Sequence, residues 1–323
     1  MRDSYGRVID YVRISLTDRC NLRCVYCVPE DGPEYAESTK VLTDEEILRL
    51  CKVLGSVGVK KIKLTGGEPL LRKSTPSLIY KMKQLPGIEQ VTLTTNGVLL
   101  EDRIEELVAS GLDAINISLD HLDEKEYEKI TRRNELGRVL RGLNKAMEYE
   151  SLQVKINCVP IAADEEQIIK LASLAKTSNM HVRFIEIMPI GMGKHMKSLT
   201  EDEILTILNN KFGALEPYNK QLGNGPSHYY KIDGFQGKIG FISAISHKFC
   251  DDCNRVRVTS EGFLKTCLQY EMGADLAPYL AEGNEEELKE VILSALENKP
   301  KGHKFHEEKE GKEEHRGMSQ IGG

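Results

Sequence analysis

Tryptophan is absent from the 323 residues, and no apolar run approaches the roughly 20 residues that a membrane-crossing helix needs. With 40% hydrophobic and 29% charged residues, such a chain is expected to be soluble and globular and to bind no membrane. A basic excess is also missing: 44 Lys and Arg stand against 50 Asp and Glu, for a net charge of −6. That balance argues against broad nucleic-acid binding, which wants a basic stripe. An anionic substrate would have to be met by cations gathered locally. The first seven residues, Met1 to Arg7, lack the apolar core of a secretory signal, so the expected location is cytoplasmic. No repeat of fixed period is visible.

What the chain has is alternation. Strand-like runs at Tyr11–Leu16, Lys61–Leu64, Gln90–Leu93, Ala114–Ile117, Gln153–Cys158 and Val182–Ile187 alternate with helical patterns, as in a parallel α/β sheet. Thr43 with Glu46 forms a capping-box pattern ahead of Ile47, Leu50, Cys51 and Leu54; Asp164 and Thr200 head two further helices. Near residue 215 the alternation stops and Pro, Gly and Asn become frequent. The expected organisation is a main domain over 1–214 and a smaller region over 215–323.

Eight cysteines in a reducing compartment are expected to be thiols or metal ligands rather than disulfides. Cys51 and Cys158 fall on apolar elements and read as small buried hydrophobes. Cys20, Cys24 and Cys27 crowd at C-x3-C-x2-C spacing directly after the first strand. Three thiolates so close can hold three corners of an iron–sulfur cubane and leave one iron open. The alternatives are a zinc knuckle with a borrowed fourth ligand, or reduced buried thiols. The octet, with Tyr26 before its last cysteine, resembles the signature of the radical S-adenosylmethionine (SAM) superfamily. That resemblance implies a partial (βα)6 TIM-type barrel, a 4Fe–4S cluster whose open iron chelates SAM, and a 5′-deoxyadenosyl radical that abstracts hydrogen from substrate.

Polar, glycine-rich segments follow the strands: Thr65-Gly66-Gly67-Glu68-Pro69, Thr94-Thr95-Asn96-Gly97 and Ser118-Leu119-Asp120. At the carboxyl ends of parallel strands they should converge on one site. Paired glycines would let backbone approach a ligand without a Cβ in the way. The superfamily resemblance implies SAM contacts at Gly67 and Ser118, with Tyr26 and Met188 at the adenine.

A second trio, Cys250, Cys253 and Cys267, is spaced C-x2-C-x13-C and is again one ligand short of a closed site. Zinc with His247 as fourth ligand is the competing reading. The run Cys250-Asp251-Asp252-Cys253-Asn254-Arg255-Val256-Arg257, with Arg13 on the first strand and Ile321-Gly322-Gly323 at the end, is similar to the GTP 3′,8-cyclase family over essentially the whole chain. The similarity implies a second 4Fe–4S cluster that binds guanine in a C-terminal region. The implied reaction is conversion of GTP to (8S)-3′,8-cyclo-7,8-dihydroguanosine 5′-triphosphate, the first step of molybdenum cofactor biosynthesis. Arg13, Arg255, Arg257, Gly322 and Gly323 would be catalytic, and Arg13, Lys63, Thr94, Lys155, Arg255 and Arg257 would hold GTP. Implied partners are a low-potential flavodoxin- or ferredoxin-type electron donor and, as product acceptor, cyclic pyranopterin monophosphate synthase; the chain itself would be a monomer or homodimer.

Charge supports the cation set separately, because strand-borne Arg and Lys in a helix-covered sheet have little solvated face to occupy. Lys63 stands where that family usually has Arg, and Lys cannot make the same oxygen fork. The segment Lys299–Arg316 reads by composition as a solvated tail, whereas the resemblance implies that the tail returns and places its final glycines in the site.

Overall fold

Residues at every second position of the first six strands are apolar, and that period of two puts them on one face. The computed structural model describes the chain apart from residues 33, 34, 36, 38, 39, 162, 306–313, 315 and 323. In it these strands are Tyr11–Ser15 (β1), Lys61–Thr65 (β2), Gln90–Thr95 (β3), Ala114–Ser118 (β4), Gln153–Cys158 (β5) and His181–Ile185 (β6). Each pairs in parallel with the next. Six shorter strands follow: Glu216–Tyr218 (β7), His228–Lys231 (β8), Ile239–Ile242 (β9), Arg255–Val258 (β10), Phe263–Lys265 (β11) and Gly273–Asp275 (β12).

Two of these enlarge the parallel set. β10 lies beside β1, and β9 lies beside β6. β11 and β12 continue antiparallel beyond β10, and β8 and β7 beyond β9. Among the described residues the sheet order is β12-β11-β10-β1-β2-β3-β4-β5-β6-β9-β8-β7, a partial barrel that stays open. The six-unit barrel expected from the sequence is thus flanked on both edges by a parallel strand from the later part of the chain. No helix of the described residues is long and apolar enough to cross a membrane.

Helices cover the outer face. The helix Asp44–Ser56 starts where Thr43 accepts the Glu46 N–H and the Glu46 carboxylate returns to the Thr43 N–H at 2.7 Å. The same reciprocal cap at Thr200 and Glu203 opens Glu201–Phe212, and Asp164 accepts the Gln167 N–H at 2.8 Å to open Glu165–Ser173. Under these helices Val12, Ile14, Ile62, Leu64, Leu93, Ile115, Ile117 and Ile156 are fully buried. Each such side chain contributes about 1.5–3 kcal/mol on leaving water. Cys51 and Cys158 lie in this same core, as their apolar positions predict.

The inner face differs. Arg13 pairs across the sheet with Lys63 and Arg257, and Thr94 with Asn116, which pairs with Lys155. A strand of a helix-covered parallel sheet is ordinarily apolar on both faces. Polar and cationic residues on one face therefore mark a barrel interior built to hold something other than side-chain core.

Candidate active site

The loop after β1 carries Cys20, Cys24 and Cys27, and the loop after β2 is clamped upon its entry. Gly67 N–H donates to Thr17 O at 2.6 Å and Glu68 N–H to Arg19 O at 2.7 Å. A Cβ on Gly66 would stand 2.5 Å from Thr17 O, and one on Gly67 would stand 2.3 Å from Arg19 O. In the structure the close backbone approach allowed by the paired glycines is thus to the chain leading into the cysteines.

Glu68 locks the third loop to the same place. Its carboxylate accepts from the Thr95 hydroxyl at 2.7 Å, the Asn96 N–H at 2.7 Å and the Leu70 N–H at 3.0 Å. Burial pushes its pKa up to about 7 against these three hydrogen bonds. Tyr26 donates its hydroxyl to Asp120 Oδ2 at 2.6 Å, and Asp120 Oδ1 accepts the Val159 N–H at 2.8 Å. The ring of Tyr26 is thereby tied to the ends of β4 and β5.

Burial raises the Cys20 thiol to about 11 and the Cys27 thiol to about 12, and lifts Cys24 well above the ordinary range. Thiols so placed keep their protons unless positive charge compensates, so a metal group is what would make this trio thiolate. Among the described residues no three His, Cys, Asp or Glu side chains stand close enough to share one metal ion. Three thiols on one loop, lining a cavity, are the donor set of an iron–sulfur cubane in which each sulfur takes its own iron.

One cavity joins this trio to the barrel interior. Its wall contains Cys20, Cys24, Cys27, Tyr26, Gly67, Ser118 and Met188 together with Arg13, Lys63, Thr94, Lys155, Arg255 and Arg257. The structure thus brings together every sequence-expected SAM and GTP contact. Lys63 is held well below its ordinary pKa by burial and then by Arg183, Arg13, Lys155 and Arg255. Lys155 is lowered to about 7, by burial first and Arg183 second. Arg13 and Arg257 are lowered as well, burial again leading. Among the described residues no carboxylate pairs with Lys63, Lys155, Arg183, Arg255 or Arg257.

Arg183 on β6 is a cavity residue that the sequence reading missed. Its guanidinium donates twice to Asn157 Oδ1, at 3.0 and 2.5 Å. The signal was available, since Arg183 lies between Val182 and Phe184 on a strand and so obeys the rule that drew attention to Arg13.

The second trio occupies the other end of the parallel strands. Cys250 and Cys253 precede β10, and Cys267 follows its antiparallel neighbour β11. Arg7 donates to Cys250 O at 2.9 Å, Lys301 O at 2.7 Å and Pro300 O at 2.8 Å, stapling the loop to the approaching tail. Burial opposes ionisation of Cys253, yet Lys299, Arg255 and a backbone hydrogen bond bring its pKa below the ordinary value. Cys250 is raised, by burial first and then by the neighbouring Cys267 and Cys253. His247 stands 3.5 Å from Glu201 and 3.1 Å from the Ser246 hydroxyl, so its ring is engaged with these two side chains. The loop Gly223–Ser227 closes the cavity on this side; a Cβ on Gly223 would stand 3.2 Å from Lys155 Nζ.

The described residues of the tail are tied down, contrary to its composition. Lys299, Glu314, Ser319 and Ile321 are all buried. Glu314 pairs with Lys265 and, at 2.9 Å, with Arg316, and its N–H donates to Gln269 O at 2.8 Å. Ser319 hydrogen-bonds the Cys27 thiol. Gly322, at φ +75°, lies against Ser15 and Thr65, and its carbonyl accepts from Arg257 Nη1 at 2.7 Å. Gly323 lies outside the described residues.

Comparison with known proteins gives the family. Residues 14–175 match the radical SAM superfamily, and residues 180–305 match the Molybdenum Cofactor Synthesis C family. A GTP 3′,8-cyclase of Clostridium perfringens (strain SM101 / Type A) is 46% identical over 325 residues, covering 100% of both chains. One of Syntrophomonas wolfei is 42% identical over 328 residues, again covering 100% of both. Among solved structures, Streptococcus suis SuiB bound to S-adenosylmethionine has a TM-score of 0.62 at 16% identity, covering 89% of this chain and 68% of that one. That likeness is one of fold.

Proposed function

The chain belongs to the GTP 3′,8-cyclase family of the radical SAM superfamily, and from that premise we propose how its residues divide the work. The protein is a radical SAM enzyme that converts GTP to (8S)-3′,8-cyclo-7,8-dihydroguanosine 5′-triphosphate, the first step of molybdenum cofactor biosynthesis. Its cofactors are SAM and two 4Fe–4S clusters.

Cys20, Cys24 and Cys27 would hold the cluster that takes SAM, and Cys250, Cys253 and Cys267 the other. When bound, the first cluster and SAM supply the radical that removes the ribose 3′-hydrogen of GTP. Gly67, Ser118, Met188 and Tyr26, which line the cavity, would hold SAM, with Met188 and Tyr26 on its adenine side and Tyr26 fixed by Asp120. Arg13, Lys63, Thr94, Lys155, Arg255 and Arg257, joined by Arg183, hold GTP. The observation that carries this reading is the set of buried cations Lys63, Lys155, Arg183 and Arg257, which no carboxylate among the described residues pairs, in one cavity wall with the cysteine trio. Such a set is self-repelling until a polyanion neutralises it, and bidentate Arg is the best clamp for phosphate oxygens. Arg257 also reaches the tail through Gly322 O, so Arg13, Arg255, Arg257 and Gly322 would border the reacting sugar and exclude water from it.

Domain 1–214 then carries SAM and the radical chemistry, and region 215–323 carries the second cluster and the tail. A flavodoxin- or ferredoxin-type protein serves as electron donor, cyclic pyranopterin monophosphate synthase takes the product, and the monomer or homodimer works in the cytoplasm. The test is anaerobic reconstitution with iron and sulfide, then incubation with GTP, SAM and a reductant. The cyclic triphosphate is expected with 5′-deoxyadenosine; SAM cleavage without it, in protein holding both clusters, would refute the GTP assignment.

A further inference from the structure

The Asn96 carboxamide lies where three loops meet, and its orientation is fixed from both sides. Oδ1 accepts the Val98 N–H at 3.0 Å, while Nδ2 donates to Asn21 Oδ1 at 2.7 Å and stands 3.6 Å from Cys20 Sγ. A flipped amide would set its NH2 against the Val98 N–H and its oxygen against Asn21 Oδ1, losing both bonds. The group facing the sulfur is therefore a donor.

The backbone of Asn96 is held as firmly. Its N–H donates to Glu68 Oε2 at 2.7 Å, and the other Glu68 oxygen accepts from the Thr95 hydroxyl at 2.7 Å. Glu68 itself is fully buried. Cys20 Sγ also receives the Leu22 N–H at 3.4 Å, so this sulfur meets two N–H groups, one local and one delivered from the end of β3.

Resting on the reading that Cys20 is a cluster ligand, we propose that Asn96 is a positioning residue whose carboxamide N–H, held in place through Glu68, stabilises the reduced state of the cluster at Cys20. Reduction adds negative charge that is shared by the ligand sulfurs, and an N–H aimed at sulfur is worth more to the reduced than to the oxidised state. Loss of one such bond, at the scale of an ordinary hydrogen bond, changes the reduction equilibrium by up to about tenfold. For one electron that is about 59 mV.

The experiment is a redox titration, followed by EPR, of full-length protein holding both clusters. Asn96→Asp keeps the shape and the Val98 contact but replaces the donor with a carboxylate oxygen; Asn96→Ala removes both. The cluster at Cys20, identified by its response to SAM, should become harder to reduce in both variants, more so in Asn96→Asp, while the second cluster is unmoved. Unchanged midpoints in both variants would overturn the proposal. A variant that cannot assemble iron is bypassed by pulsed EPR of reduced wild-type protein labelled with 15N-asparagine: a carboxamide nitrogen coupling supports the contact, and its absence refutes it. Failure of the underlying reading would look different, as no SAM-responsive cluster in the wild type.

Discussion

Gly67 has no space for a side chain, and the cause is local backbone rather than ligand. A methyl there would sit 2.3 Å from Arg19 O and 2.6 Å from Asp18 O, so Gly67→Ala must push the β2 loop off the entry to the cysteine octet. The expected result is loss of about half of the iron, from the cluster at Cys20 alone, measured on anaerobic protein by metal and sulfide analysis. Lys155 allows a test by protons. Its pKa of about 7 in the folded, ligand-free protein lies below the unfolded value, so between about pH 7 and 10.5 the unfolded chain binds more protons and stability rises with pH. A triphosphate beside Lys155 reverses the shift. GTP binding near pH 8 should therefore take up protons, seen by calorimetry in buffers of different ionisation enthalpy, and Lys155→Met should reduce the uptake. Proton-neutral binding would mean that the phosphates lie elsewhere.

At the scale of elements, legibility followed range. β1 to β6 and the capped helices were readable because their signals lie within one window: a period of two, or a cap three residues ahead of its partner. β7 to β12 are only 3 or 4 residues each, too short for any period to show. The tail misled in another way, since its charges read as solvation although Lys299 and Glu314 spend theirs inward. Their partners are Thr266 O and Lys265, 33 and 49 residues away, and no local pattern reports such pairs. Glu314→Ala would leave Lys265 buried without its carboxylate, a loss of about 3–5 kcal/mol for a broken buried pair. The tail should then come away and become open to protease, and cyclic product should fall steeply while both clusters keep their iron. Gly322→Ala acts more narrowly. It forces a Cβ at positive φ to within 3.2 Å of Ser15 and Thr65, and should depress product without any change in proteolysis elsewhere.

Over the whole molecule, the direction of the strands sets the order of events along the barrel. The octet follows β1, whereas Cys250 and Cys253 precede β10, which runs parallel to β1, and Cys267 follows the antiparallel β11, so the two cysteine sites stand at opposite ends of the parallel strands, the first of them on the wall of the cation-lined cavity. From the sequence, the segments after each strand were expected to meet on one face; that holds for the first site, while the second comes from the face where such folds seldom work. A parallel pairing between strands more than 240 residues apart cannot be read from either segment alone. The separation of the two cysteine sites along the strands lets their contributions to the two affinities be tested apart. Replacing Cys20, Cys24 and Cys27 together by Ala should abolish SAM cleavage yet leave GTP binding within a few-fold of wild type, because the second site and Arg255 are untouched. Replacing Cys250, Cys253 and Cys267 by Ala should do the converse, weakening GTP by tenfold or more, a loss of about 1.4 kcal/mol or greater, while SAM still binds at the far end. Equilibrium binding of each ligand to each triple variant decides it. Equal loss of both ligands in either variant would mean that SAM and GTP meet at a single cluster, and would remove the axial arrangement on which the proposed division of residues depends.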